Sequence, residues 1–236
     1  MSDVPQHISV SRVLAGRWQI PLLVAAACLL AGGLWRLRPV SKPPSFDVLY
    51  ARAAALKDAR LYVDASRGVE SLLGDPALNL APEQRGRLHA LMAEVIYLHE
   101  LGNAVHGRSN AQAILDHLEA AGSAGVAMSA AVELMRARAW EWLSHAAEAV
   151  EAYRRSLAGG VGDPWSIRRR IVQIQEEANQ ISPAALREEL GAFLAADDVG
   201  DEVRFWALER QVVLLAEEGA YEEADRLLSD QAERFS

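Results

Sequence analysis

Between Arg17 and Arg36 the chain runs for eighteen residues, WQIPLLVAAACLLAGGLW, without a charged side chain. A helix rises about 1.5 Å per residue, so the run reaches about 27 Å, close to the hydrocarbon thickness of a bilayer. Trp18 and Trp35 bracket it where amphipathic rings settle at membrane interfaces. Pro21 falls in the first turn, where a missing N–H costs little. The run ends Ala31-Gly32-Gly33-Leu34-Trp35-Arg36, with an aromatic and a cation where signal-peptide cleavage needs small residues. A core helix of a water-soluble domain would keep a polar face, and this segment has none. Residues 18–36 are therefore expected to be a transmembrane helix in the lipid bilayer, with a tail over 1–17 and a linker over 37–45.

The charges agree with that division. Of 24 basic and 32 acidic residues, five and one lie in residues 1–44, so a +4 segment precedes a remainder of −12. A net-negative domain repels phosphate backbones, so nucleic acid is not an expected partner. Only Arg168-Arg169-Arg170 approaches a basic stripe, and lipid headgroups are its alternative target. Arg12 and Arg17 on one flank of the apolar run nearly balance Arg36, Arg38 and Lys42 on the other. The expected topology is that of an uncleaved signal-anchor in a bacterial inner membrane, with the tail inside and the folded domain extracytoplasmic. The single cysteine, Cys28, lies in the apolar run, which excludes intrachain disulfides and Cys-based metal sites.

Residues 46–236 are rich in Ala, Leu, Glu and Arg, with apolar residues at three and four spacing and turn residues at short intervals. Start and stop signals predict an all-α domain with helices over 46–58, 60–74, 82–101, 109–121, 128–143, 145–158, 164–179, 183–195, 201–218 and 220–235. Asn110, Ser182 and Asp201 are the expected N-caps, Pro82, Pro164 and Pro183 first-turn prolines, and Gly122, Gly159 and Gly219 follow helix ends.

Ten short helices make five antiparallel pairs. The last carries Gly219-Ala220-Tyr221-Glu222-Glu223-Ala224-Asp225-Arg226-Leu227-Leu228: a Gly, an aromatic two later, an Ala three further, and a large apolar residue four beyond. Ala146, Ala149 and Tyr153 echo it, as do Tyr62, Ala65 and Val69, and small residues Ala53 and Ala137 stand twelve positions before Ala65 and Ala149. This pattern resembles the tetratricopeptide repeat, although the second pair (Asn110 to Ala121) and the fourth (Pro183 to Ala195) match it poorly. The resemblance implies a right-handed solenoid of about five helix pairs whose first helices line a concave, protein-binding surface. In that frame Arg138, Arg168, Gln175, Trp206 and Arg210 face a protein or peptide partner. The competing reading packs Trp206 between repeats and pairs the arginines with neighbouring Glu.

No catalytic, cofactor or metal constellation has diagnostic spacing, so neither an enzyme nor a cofactor is expected. His99 and His106 are too far apart to share a metal from one helix face, and Asp197, Asp198, Asp201 and Glu202 lack the alternation of a calcium loop. Gly159-Gly160-Val161-Gly162-Asp163-Pro164 lacks the strand and Lys of a phosphate loop. The expected function is a membrane-anchored scaffold for protein–protein interaction. A docked subunit of a larger membrane complex and a helical hydrolytic enzyme are the alternatives.

Overall fold

The computed structural model describes residues 24–29, 44–103 and 106–232. The chain divides into two compact units, Met1–Pro44 and Ser45–Ser236. In the first, residues 24–29 are helical and exposed. The predicted transmembrane segment, 18–36, otherwise lies outside the described residues, among which no helix is long and apolar enough to cross a membrane.

The second unit is all helical. Its elements are α1 (Phe46–Asp58), α2 (Tyr62–Gly74), a 3-10 turn (Pro76–Leu78), α3 (Pro82–Leu101), α4 (Arg108–Ser123), α5 (Ala130–Trp142), α6 (Ala146–Ala158), α7 (Pro164–Glu177), α8 (Pro183–Ala195), α9 (Asp201–Glu217) and α10 (Tyr221–Ala232). Consecutive helices pack on one another along the whole series, and first helices of successive hairpins touch as well, α1 on α3, α3 on α5 and α7 on α9. The expected stack of helical hairpins is present.

Four of the five turns within hairpins have a common construction. The second residue after the first helix is left-handed in each: Arg60 (φ 60°), Ser144 (φ 66°), Asn179 (φ 52°) and Gly219 (φ 77°). The next amide then reaches back to a carbonyl five residues earlier: Leu61 to Leu56, His145 to Trp140, Gln180 to Gln175 and Ala220 to Leu215, at 2.7–2.9 Å. This is the Schellman closure, which satisfies carbonyls that the helix end leaves without partners. Three of these turns lead directly into the second helix, with Ala65, Ala149 or Ala224 five residues after the left-handed position. The small side chains that the repeat pattern requires are buried there: Ala53 against Ala65, and Ala137 against Ala149, none more than 3% exposed.

Two hairpins depart from the pattern in opposite ways. The second, α3–α4, lacks the sequence signature yet packs as closely as any. Gly86 explains part of this, because a Cβ there would stand 2.7 Å from Ala124 Cβ and 2.8 Å from Val126 Cγ2. In the fourth, α7 and α8 approach each other only loosely, and α8 packs chiefly on α9. After the Schellman turn at Asn179 the chain inserts Ile181 and Ser182 before α8 starts, displacing that helix from the repeat register. Phe193, fully buried, fills the resulting space edge-on between Trp165 and Trp206, with ring centroids 5.6 Å apart on each side.

Several predicted boundaries need correction. Gly107, not Asn110, caps α4, because the buried Glu100 carboxylate takes the Gly107 amide and draws the Asn110 side chain to itself. Gly200 precedes α9, and Asp201 sits inside its first turn. Gly122 lies within α4. Ser182 caps α8 as expected, accepting from the Ala185 amide.

The buried side chains fall into four clusters, and each comprises one hairpin and the first helix of the next. The first holds Ala53, Ala65, Val69 and Leu72 with Leu88, Leu91, Met92 and Val95 of α3. The second joins α3 and α4 to Met135, Ala139 and Leu143 at α5, and the third joins α5 and α6 to Ile167, Ile171 and Ile174 of α7. The fourth joins Val172 of α7 and the apolar face of α8 to Val203, Ala207 and Leu208 of α9.

Candidate interaction surface and its polar network

Arg168, Arg169 and Arg170 stand about 100° apart around α7, as consecutive helical residues must. Each reaches a different helix. Arg168 donates to Glu189 of α8 at 2.9 Å, Arg169 to Glu202 of α9 at 3.0 Å, and Arg170 lies 3.0 Å from Glu141 of α5. The run is a three-way fastening of α7 to its neighbours. Its cations are matched to carboxylates, which argues against an open stripe for lipid or nucleic acid.

Glu141 is the centre of the most developed of these contacts. Its Oε2 accepts from the Tyr153 hydroxyl at 2.6 Å and lies 3.6 Å from Arg138, while Oε1 faces Arg170. Arg170 also donates to Gln173 at 3.0 Å and reaches the more exposed Glu177. Burial pushes the Tyr153 hydroxyl far above its ordinary range, and the adjacent Glu141 carboxylate adds to the effect. The phenol therefore stays protonated and serves as a hydrogen-bond donor. Beside this network lies a cleft of about 270 Å³, lined by Glu141, Ser144 and Ala146 on one side and Arg170, Ile174 and Glu177 on the other.

The five residues expected to face a partner do not converge on one site. Arg138 joins the Glu141 network and stacks over Tyr153, 5.8 Å from the ring centre. Arg168 turns to Glu189 and lies over Trp165 and Phe193. Trp206 packs against Phe193 and carries Arg169 over its face at 5.3 Å. Arg210 pairs with Glu176 of α7. Gln175 is half-buried on α7, where its backbone carbonyl closes the Asn179 turn. The packed reading of Trp206 and of the arginines thus describes their local contacts. Their carboxylate partners are 21 to 34 residues away along the chain for Arg168, Arg169 and Arg210, a separation at which sequence spacing gives no signal.

Two further polar groupings escaped the sequence reading. Glu100, only 3% exposed, accepts from the Gly107 amide at 2.9 Å, from Asn110 at 2.6 Å and from Asn103 at 3.3 Å. Burial alone would raise its pKa, but these donors and nearby His106 outweigh burial and hold the carboxyl below its ordinary value. His89 on α3 and His117 on α4 bring their Nδ1 atoms within 2.9 Å, so one proton is shared between the rings. Among the described residues no group of three or more His, Cys, Asp or Glu side chains is placed to hold a metal ion.

No protein-family profile matches the chain, and no curated protein matches it. Among solved structures it is similar to a single-substitution variant from Podospora anserina, described as a kinesin light chain with nearly identical TPR-like repeats. The identity is 14%, the alignment covers 80% of this chain and 95% of that one, and the TM-score is 0.49.

Proposed function

We propose that this chain is a membrane-tethered, tetratricopeptide-like scaffold that binds a protein or peptide segment without catalysis. The observation that carries the reading is the cleft between α5 and α7, where first helices of successive hairpins part and leave Glu141, Arg170, Ile174 and Glu177 around an opening. Apolar floor and charges of both signs suit a polypeptide, whose backbone and side chains need both. Arg138 stands at the edge of the same network and belongs to the proposed face. Gln175 and Arg210, on α7 and α9, extend it toward the following hairpin.

The tether is the uncharged segment over 18–36, contacting lipid, with the repeats on the extracytoplasmic side. Two experiments test the two halves separately. Membranes from cells expressing the full chain would be washed with alkaline carbonate, alongside a chain starting at Ser45. Retention of the first and release of the second is expected, and release of both removes the tether. A reporter active only outside the cytoplasm, fused after Ser236, then reads the side. For the cleft, a photoreactive phenylalanine at Ala146 should give a discrete cross-linked adduct that one at exposed Gln112 does not. Identical patterns at both positions would remove the cleft from the binding face.

A further inference from the structure

The four buried clusters each complete a hairpin with the first helix of its successor, but the fifth hairpin, α9–α10, has no such helix among the described residues. Its exposed side chains occupy the positions that such a helix covers elsewhere. With Ala65, Ala149 and Ala224 aligned, the residue four further on is Val69, Tyr153 or Leu228. Val69 and Tyr153 are 0% and 1% exposed, closed over by the clusters that include α3 and α7, whereas Leu228 is 45% exposed. The residue three before the Ala is Tyr62, Ala146 or Tyr221. The first two pack against those same clusters, and Tyr221 is 69% exposed. On the first helices the matching position holds Tyr50, Leu134 or Glu209: the first two lie against the clusters and Glu209 is exposed. One turn on, half-buried Ala54 corresponds to exposed Val213.

The charges identify what fits. At three junctions the incoming first helix carries an arginine to an acidic residue on the first helix before it: Arg87 to Asp47, Arg170 to Glu141 and Arg210 to Glu176. Residues 209–232 hold seven acidic side chains and only Arg210 and Arg226 as basic ones. Such a surface disfavours a second copy of itself by like-charge repulsion and favours a cationic partner. We infer that the α9–α10 face, centred on Val213, Tyr221 and Leu228 and rimmed by Glu209 and Asp225, docks an arginine- or lysine-flanked amphipathic helix of a partner protein. That helix takes the place of a sixth first helix. Its apolar stripe covers Val213, Tyr221 and Leu228, and its cations meet the acidic rim, the helix-in-groove mode of recognition.

This inference rests on the scaffold reading and names one partner's chemistry, at a surface separate from the α5–α7 cleft. Residues 45–236 form a compact unit containing all four clusters, so the test uses that unit. Two labelled 18-residue peptides share one Leu/Ile stripe at helical spacing; arginine flanks the stripe in one and glutamate in the other. Fluorescence anisotropy should show saturable one-to-one binding of the arginine peptide, with the glutamate peptide weaker by about tenfold or more. Leu228→Glu should weaken the arginine peptide by a similar factor while circular dichroism stays unchanged, because that side chain is exposed. Absence of binding, equal binding of both peptides, or indifference to Leu228→Glu overturns the proposal. So does a dimer in sedimentation that Leu228→Glu dissolves, since the occupant would then be a second copy. Cross-linking at Ala146 is independent of all these outcomes, so a failure here leaves the cleft reading standing.

Discussion

Arg170 and Glu141 meet at 3.0 Å across the junction where successive first helices, α5 and α7, come least close to one another. At the α1–α3 and α7–α9 junctions an arginine bridge, Arg87–Asp47 or Arg210–Glu176, accompanies close backbone approach. Here a guanidinium spans the gap, and the carboxylate it reaches also holds the Tyr153 hydroxyl. Their side chains are only 27% and 16% exposed, so the pair is shielded from solvent enough to matter.

Removing Arg170 should therefore cost more than removing either neighbour in the same run. Arg170→Met leaves Glu141 with a lost charge-assisted partner and is expected to destabilise the domain by about 2–3 kcal/mol. Arg168→Met and Arg169→Met break pairs more open to solvent than Arg170–Glu141, Arg168–Glu189 at 39% and 36% exposed and Arg169–Glu202 at 24% and 90%, and should each cost under about 1 kcal/mol. Urea unfolding of the three variants reads the ranking directly. Equal losses would mean that α7 is held by its apolar face alone.

The left-handed turn residues make a second prediction. Arg60 and Ser144 adopt a conformation that costs an L-residue energy and glycine almost none. Arg60→Gly and Ser144→Gly should each stabilise the domain by up to about 1 kcal/mol, less any gain in unfolded-chain entropy. Gly219→Ala, at φ 77°, should destabilise by about the same amount. Asn179→Gly should change least, since asparagine tolerates this region. Midpoints of urea unfolding at constant slope check all four.

These turns also show what the sequence could and could not reveal. Helix limits were legible because Pro82, Pro164, Pro183 and Ser182 mark starts locally, within a turn of the helix they begin. The common turn was visible only at Gly219, where glycine announces the left-handed residue; Arg60 and Ser144 give no such sign. Hairpin packing was harder still. The two residues inserted before α8 are a small irregularity in sequence, yet they shift that helix from its partner α7 toward α9. Each candidate arginine was recognisable as a residue able to bind carboxylates. Arg138 meets Glu141 one turn along its own helix, but the carboxylates that Arg168 and Arg210 bind lie on other helices, and only the stacking register brings those pairs together.

The His89–His117 contact predicts a specific pH response. Burial disfavours the charged form of both rings; Arg85 further lowers the pKa of His89, and His89 that of His117, while Asp116 and Glu70 act in the opposite direction on His117. The folded protein thus holds protons on these rings less readily than the unfolded chain, whose imidazoles titrate near 6.5. Stability is unaffected above that value and falls as pH drops through it, levelling off only below the folded-state values. Thermal melts of residues 45–236 between pH 7.5 and pH 5 should show this loss. His117→Asn should flatten the profile, and an unchanged slope in that variant would assign the response to other groups.

Gly86 and Gly191 offer the sharpest contrast, because both are helical glycines and opposite outcomes are expected on replacing them. In an open helix interior, alanine is favoured over glycine by about 1 kcal/mol. Gly191, on α8, has nothing within 4 Å of where a Cβ would stand, so Gly191→Ala should gain roughly that amount. Gly86 lies on α3 where α4 ends, and its Cβ would meet Ala124 Cβ, Val126 Cγ2 and the Ala121 carbonyl at 2.7, 2.8 and 3.3 Å. The Ala121 carbonyl already accepts the Val126 amide that closes the α4 end, so the backbone there has little freedom to retreat. Gly86→Ala must then part α3 from α4, and overpacking of this kind costs about 1–3 kcal/mol, more than the gain in helix propensity. Chemical denaturation of the two variants decides the matter. Stabilisation by both would mean that α3 and α4 can separate freely, and the close approach of the second hairpin would not depend on this glycine.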